Sequence, residues 1–129
     1  MGQIILCKCS GNGCTYEKKL FCGAGMGAKN IAVIEKNIPK SVFENFFAKL
    51  ESGAVSEFRL ENKAALCEKC GEIFSAAVFT YKLSDEGSVE YTSPCPECGG
   101  YVRVLTGTEN IACPKCGGKM TAVSVGHWD

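Results

Sequence analysis

Cys113-Pro114-Lys115-Cys116-Gly117-Gly118 recurs, with small changes, as Cys95-Pro96-Glu97-Cys98-Gly99-Gly100 and as Cys67-Glu68-Lys69-Cys70-Gly71. Two thiolates separated by two residues can grip one ion from a single tight turn, and that turn aims backbone N–H groups at the sulfurs. Glycine after the second cysteine lets the chain leave through positive φ, and proline after the first stiffens the turn. Each such knuckle offers two ligands. Tetrahedral zinc takes four sulfurs at about 2.3 Å, so knuckles must pair. A lone Cys-x-x-Cys also occurs as a redox dithiol at a helix start, but none of these three leads into a helical pattern, which sets redox catalysis aside.

Three knuckles make one and a half sites, so the N-terminal cysteines should supply the fourth pair. Cys9 and Cys14 are the best candidates, with Gly11 and Gly13 making their wider spacing flexible; Cys7 is an alternative to Cys9. Cys22 reads as a small buried residue rather than a ligand. The expected metal ligands are therefore Cys9, Cys14, Cys67, Cys70, Cys95, Cys98, Cys113 and Cys116. Their partition between two ions stays open. The 14 residues between Cys98 and Cys113 suit a β-hairpin with a knuckle at each base. That favours Cys95/Cys98 with Cys113/Cys116, leaving Cys67/Cys70 for the N-terminal pair. The rival joins Cys67/Cys70 to Cys95/Cys98 across 24 residues, and a crossed arrangement is a third option. Loop-closure entropy changes too slowly with length to choose.

Ten cysteines in 129 residues could also form a disulfide framework. That needs an oxidising compartment. The start Met1-Gly2-Gln3-Ile4-Ile5-Leu6-Cys7-Lys8 does not resemble a secretory signal, and no apolar run nears the roughly 18 residues of a membrane helix. A cytoplasmic location with reduced, metal-binding cysteines is the expectation. Formal net charge is zero, but residues 1–66 hold 9 Lys/Arg against 6 Asp/Glu and residues 67–129 hold 5 against 8. Two zinc tetrathiolates would bring the loaded protein to about −4. That balance disfavours a nucleic-acid partner, whose binders usually present a basic surface.

Between the knuckles, periodicity places strands at 15–21, 56–60, 73–83, 89–92, 101–105 and 119–125, with polar turns at 84–88 and 106–110. Residues 23–27 read as a loop, and 31–34 as a short strand or helix. Val42, Phe43, Phe46, Phe47 and Leu50 form one helical stripe, opened by Pro39 and stopped by Gly53, which predicts a helix near 40–52 facing the core. The tail from Gly126 to Asp129 reads as loose.

Cys7-Lys8-Cys9, Cys14 with Tyr16-Glu17, Gly23-Ala24-Gly25-Met26 and the terminal Cys113-Pro114-Lys115-Cys116-Gly117-Gly118-Lys119-Met120 resemble small bacterial zinc-ribbon proteins that have no established activity. The resemblance runs through most of the chain on short motifs. Family members usually carry a tight Cys-x-x-Cys where this chain has Cys9-Ser10-Gly11-Asn12-Gly13-Cys14. The last 60 residues also look like generic zinc-ribbon or rubredoxin-like modules. The resemblance implies zinc and a fold, not a reaction. The expected class is a small, metal-stabilised α+β fold of zinc-ribbon β-hairpins with one helix inserted near 40–52. The expected division is an N-terminal zinc-binding part, 1–92, and a C-terminal ribbon, 93–129, or one compact domain over 1–125.

Gly23-x-Gly25-x-x-Ala28 fits a dinucleotide fingerprint by spacing, but the chain is too short for a doubly wound sheet beside its knuckles, so no dinucleotide is expected. His127, the one histidine, reads as a solvated tail residue. Four-thiolate sites keep no open position for a substrate, which weighs against an enzyme. The functional expectation is a protein-interaction module holding two structural zinc ions. The alternatives are a nucleic-acid-binding ribbon of transcription machinery and a rubredoxin-like iron electron carrier.

Overall fold

The computed structural model describes residues 2–11, 13–24, 28–85, 87–105 and 112–128. The expected turn at 106–110, Glu86 of the turn at 84–88, and positions 25–27, which include Gly25 of the dinucleotide-like spacing, lie outside the described residues. Among the described residues, the chain runs β1 (Gly2–Cys9), β2 (Glu17–Gly23), α1 (Ile31–Asn37), α2 (Lys40–Glu51), β3 (Val55–Cys67), β4 (Ile73–Leu83), β5 (Ser88–Thr92), β6 (Val102–Val104) and β7 (Met120–Trp128).

All seven strands join one antiparallel sheet in the order β5-β4-β3-β2-β1-β7, with β6 pairing β3 off that path. Strand takes up 50% and helix 16% of the described structure, so the protein is mostly antiparallel sheet rather than the expected α+β. Two stretches account for much of the difference. The N-terminal segment forms β1, between β2 and β7, where no strand was expected. The strand expected at 56–60 runs on to Cys67. The single inserted helix is also two, and both serve as a cover on one part of the sheet.

That cover forms for local reasons. Asn30 caps α1 by accepting at Oδ1 from the N–H groups of Ala32 (3.0 Å) and Val33 (3.2 Å). Pro39 precedes α2. Gly53, at φ 80°, ends α2 in a Schellman turn, where Gly53 N–H donates to Leu50 O and Ala54 N–H to Lys49 O. Val42, Phe43, Phe46 and Leu50 of the α2 stripe join the core cluster, while Phe47 stacks on Phe43. Phe46 is fully buried, with its ring 4.8 Å from Phe79 and 5.2 Å from both Phe58 and Tyr81. Ile34 of α1 joins the same cluster.

β3 pairs β4 from Val55 to Leu66, whereas β2 touches β3 in register only at Gly23↔Asn62. The β2-β1-β7 ribbon thus attaches to the longer sheet at a narrow neck, at a glycine with φ 96°. Beneath the neck lies a shared cluster of Cys7, Leu20, Ala64, Ile73, Cys113 and Met120. The tail expected to be loose is part of β7 up to Trp128, paired with β1 as far as Gly2↔Trp128. No helix among the described residues is long and apolar enough to cross a membrane.

Candidate metal centres

The register of the sheet assembles two sets of four sulfurs. β1 and β7 are antiparallel neighbours with Lys8↔Thr121 and Cys9↔Met120. The loop leaving β1 and the loop entering β7 therefore meet at one end, and Cys9, Cys14, Cys113 and Cys116 converge there. Ser10 fastens that meeting. Its N–H and Oγ–H both donate to Lys119 O, at 2.9 and 2.6 Å. On the other side, Cys67↔Val102 pairs β3 with β6, which sets the Cys95/Cys98 turn beside the Cys67/Cys70 turn.

Within each quartet all four sulfurs lie within 4.8 Å of one another. The close pairs are Cys9–Cys116 at 3.4 Å, Cys14–Cys113 at 3.8 Å and Cys67–Cys98 at 3.7 Å. Tetrahedral coordination with sulfur legs of about 2.3 Å places ligand sulfurs about 3.8 Å apart. A disulfide requires about 2.05 Å, and all ten cysteines are free thiols. The donor set and its spacing therefore fit a metal ion in each quartet.

The turns follow one plan. Cys67 N–H donates to Glu72 O and Gly71 N–H to Cys67 O; the same two bonds recur from Cys95 to Gly100 and from Cys113 to Gly118. Gly71, Gly99 and Gly117 leave their turns at φ 77°, 69° and 74°. The N-terminal loop is longer and closes differently, by Cys9 N–H on Tyr16 O at 3.0 Å and Cys14 N–H on Gly11 O at 3.2 Å. Backbone N–H groups point at the sulfurs: Gly11 at Cys9, Cys70 at Cys67, Lys115 at Cys113, and Gly118 at Cys116, at 3.3–3.4 Å. Such donors disperse thiolate charge.

The second glycines matter too, which the sequence reading missed. A Cβ on Gly118 would lie 3.3 Å from Cys116 Sγ, one on Gly100 3.1 Å from Cys98 Sγ, and one on Gly11 3.2 Å from Cys9 Sγ. The doublet Cys-Gly-Gly was the available signal in two of the three knuckles, one glycine turning the chain and the next making room for sulfur; in the third, Glu72 takes the second position.

Each quartet splits its thiols. At Cys67 the Cys70 N–H outweighs burial and brings the thiol down to about 7. At Cys70 the hydrogen bond shared with Cys98 is the main reason the thiol rises to about 12. At Cys113 burial acts upward, but the N–H groups of Cys116 and Lys115 with the neighbouring thiols bring it to about 7. At Cys9 the Gly11 N–H acts downward, yet lost solvation and the hydrogen bonds by which Cys9 gives its own proton to the sulfurs of Cys116, Cys14 and Cys113 carry it to about 12. One sulfur per centre is thus readily ionised and a neighbour resists following it. A divalent cation relieves that conflict.

The quartets follow the rival partition and not the one favoured from sequence: Cys9/Cys14 with Cys113/Cys116, and Cys67/Cys70 with Cys95/Cys98. The hairpin argument for joining Cys95/Cys98 to Cys113/Cys116 fails because β6 pairs β3 and β7 pairs β1. Cys7, the alternative to Cys9, is fully buried in the shared cluster, and burial raises its thiol. Cys22 packs against the same cluster and is likewise raised by burial. His127 is exposed opposite Gln3, outside both quartets. Comparison with known proteins finds no matching family model, no matching curated protein and no matching solved structure.

Proposed function

We propose that this chain is a zinc-ribbon-like module whose two zinc ions are structural and whose task is to bind another protein. The observation that carries the reading is the closure of both centres. Each quartet supplies four sulfurs, one from two knuckles and the other from a knuckle and the Cys9–Cys14 loop, which fills tetrahedral zinc and leaves no position for a substrate. Iron in the same donor set is the rival metal. Structural zinc contributes about 10 kcal/mol or more to a small fold, so the ions would dominate stability.

The partner surface we favour is the outer edge of β7. Among the described residues it ends the sheet, and it has no charged side chain from Met120 to Gly126; Val123 and Val125 are 59% and 53% exposed. The opposite edge, β5, is five residues long and carries Glu90. An uncharged open edge accepts an extended segment of another chain by strand addition. Val125 has no partner on β1, since Ile5 pairs Ser124 and Ile4 pairs Gly126, so regular pairing would run along Met120–Ser124. The phenylalanine-rich α2 turns Val42, Phe43, Phe46 and Leu50 to the core instead.

Metal analysis of purified protein tests the first part, with two zinc ions per chain and a colourless solution expected; a red protein carrying iron selects the electron carrier. Prolonged chelation should abolish the strand signal in circular dichroism, and an unchanged spectrum sinks the structural role. Filter binding at low salt separates the nucleic-acid alternative, for which no retention is expected.

A further inference from the structure

Two residues close the metal-binding loops with their backbones and also touch each other with their side chains. Tyr16 O accepts from Cys9 N–H at 3.0 Å, which closes the first loop of the Cys9/Cys14/Cys113/Cys116 centre. Glu72 O accepts from Cys67 N–H at 3.0 Å, which closes the first loop of the other centre. Tyr16 Oη–H donates to Glu72 Oε2 at 3.3 Å. The equivalent closing positions in the remaining two knuckles are Gly100 and Gly118, which have no side chain to reach with. Each centre therefore has one closing residue able to make a side-chain hydrogen bond, and these two residues are joined. Around them the packing is continuous: Ile73, which follows Glu72, shares a cluster with Cys113, and Tyr16 and Cys14 pack against it.

We propose that Tyr16 and Glu72 are positioning residues that couple the two metal centres, so that filling either one raises the affinity of the other. This rests on the metal-binding reading above. An ion at the first centre fixes the Cys9–Cys14 loop and with it Tyr16. The hydroxyl then holds Glu72, whose carbonyl holds the N–H of Cys67 before the second ion arrives. The ordering cost of the second loop falls, and by linkage the effect is the same in the other direction.

The test is stepwise zinc loading of the metal-free full chain, followed by native mass spectrometry. The ratio of the second to the first binding constant is read for the wild type, Tyr16→Phe, Glu72→Ala, Glu72→Gln and the Tyr16→Phe/Glu72→Ala pair. Tyr16→Phe and Glu72→Ala should each lower the ratio about fivefold, the scale of one hydrogen bond. The pair should lower it no further, and Glu72→Gln, whose amide oxygen still accepts, should stay near wild type. An unchanged ratio in both single variants, or losses that add in the pair, overturns the coupling. Alkylation mapped by peptide under limiting chelator gives a second readout. Glu72→Ala should speed modification of Cys113 and Cys116 in the remote centre, whereas acceleration confined to Cys67, Cys70, Cys95 and Cys98 would leave Glu72 a local role and defeat the proposal. A chain that takes up no zinc in any form would instead refute the metal-binding reading itself.

Discussion

Trp128 lies over Gly2. The indole occupies the space that a Cβ on Gly2 would need, and its Nε1–H donates to Cys22 O at 3.1 Å. One side chain thus spans β7, β1 and β2 and pins the last residue of the sheet to its first. Trp128→Ala removes a large half-buried ring and a hydrogen bond, so it should cost about 1–3 kcal/mol. Gly2→Ala should weaken the same corner by displacing the indole. Urea unfolding at fixed free zinc, for the wild type and both variants, measures this. A midpoint unmoved by Trp128→Ala would show that the tail does not hold the sheet.

Gly118→Ala tests the sulfur pocket. The new methyl would sit 3.3 Å from Cys116 Sγ and 3.6 Å from Cys9 Sγ, at a backbone position that itself donates to Cys116. Because it crowds two ligands of one centre, zinc affinity there should fall about tenfold, the scale seen when a group supporting metal ligands is disturbed. The other centre should keep its affinity apart from the coupling described above. Competition with a chromophoric chelator reads both. Equal losses at the two centres would point to a general defect of folding.

Phe46→Ala separates the helical cover from the metal centres. Its ring is fully buried among Phe58, Phe79 and Tyr81, in a cluster that contains no cysteine. The substitution should destabilise the protein by about 3–5 kcal/mol through lost burial and a cavity. Two ions should still bind per chain. Thermal unfolding with metal analysis checks both halves, and loss of an ion would mean that the cover and the centres are not separable.

These residues also mark what the sequence could say. α2 was legible because its stripe repeats at helical spacing and both ends carry the right residues, Pro39 and Gly53. β4 and β5 were legible from β-forming residues and a polar turn. The three knuckles declared six of the eight cysteines that the fold gathers into quartets, and the missing pair pointed to Cys9 and Cys14, with Cys7 open as an alternative to Cys9. β1 was not legible, since Ile4-Ile5-Leu6 is a continuous apolar run with no alternation to mark a strand between two neighbours. The second half of β3 hid for a related reason: Ala64, Ala65 and Cys67 are buried, so inward and outward positions do not alternate cleanly. The sharing of ions followed from those omissions. It is set by Cys9↔Met120 and Cys67↔Val102, contacts between strands distant in sequence, which no local pattern announces.

Acid should strip both centres, and the direction follows from the thiols. Zinc takes thiolates, so any proton still on a ligand must leave before or as the ion binds. Cys67, lowered chiefly by the Cys70 N–H, holds its proton up to about 7. Cys70, raised chiefly by the hydrogen bond it shares with Cys98, holds its own up to about 12. Cys113 and Cys9 divide in the same way, at about 7 and about 12. The ion-free state therefore carries more protons than the loaded state at every pH below about 12, and lowering the pH favours it. From above neutrality down to about pH 7, Cys9 and Cys70 each have a proton to give up, so affinity per centre should fall about tenfold or more per pH unit. Below about pH 7, Cys67 and Cys113 also start protonated, and the fall should steepen to about a hundredfold or more per unit. On the proposal that the ions are structural, the circular dichroism signal should collapse over the same acidic range at limiting zinc and move to lower pH as zinc is added. Zinc-binding isotherms at stepped pH values decide the matter: affinity independent of pH through neutrality would mean that the sulfurs are not the ligands.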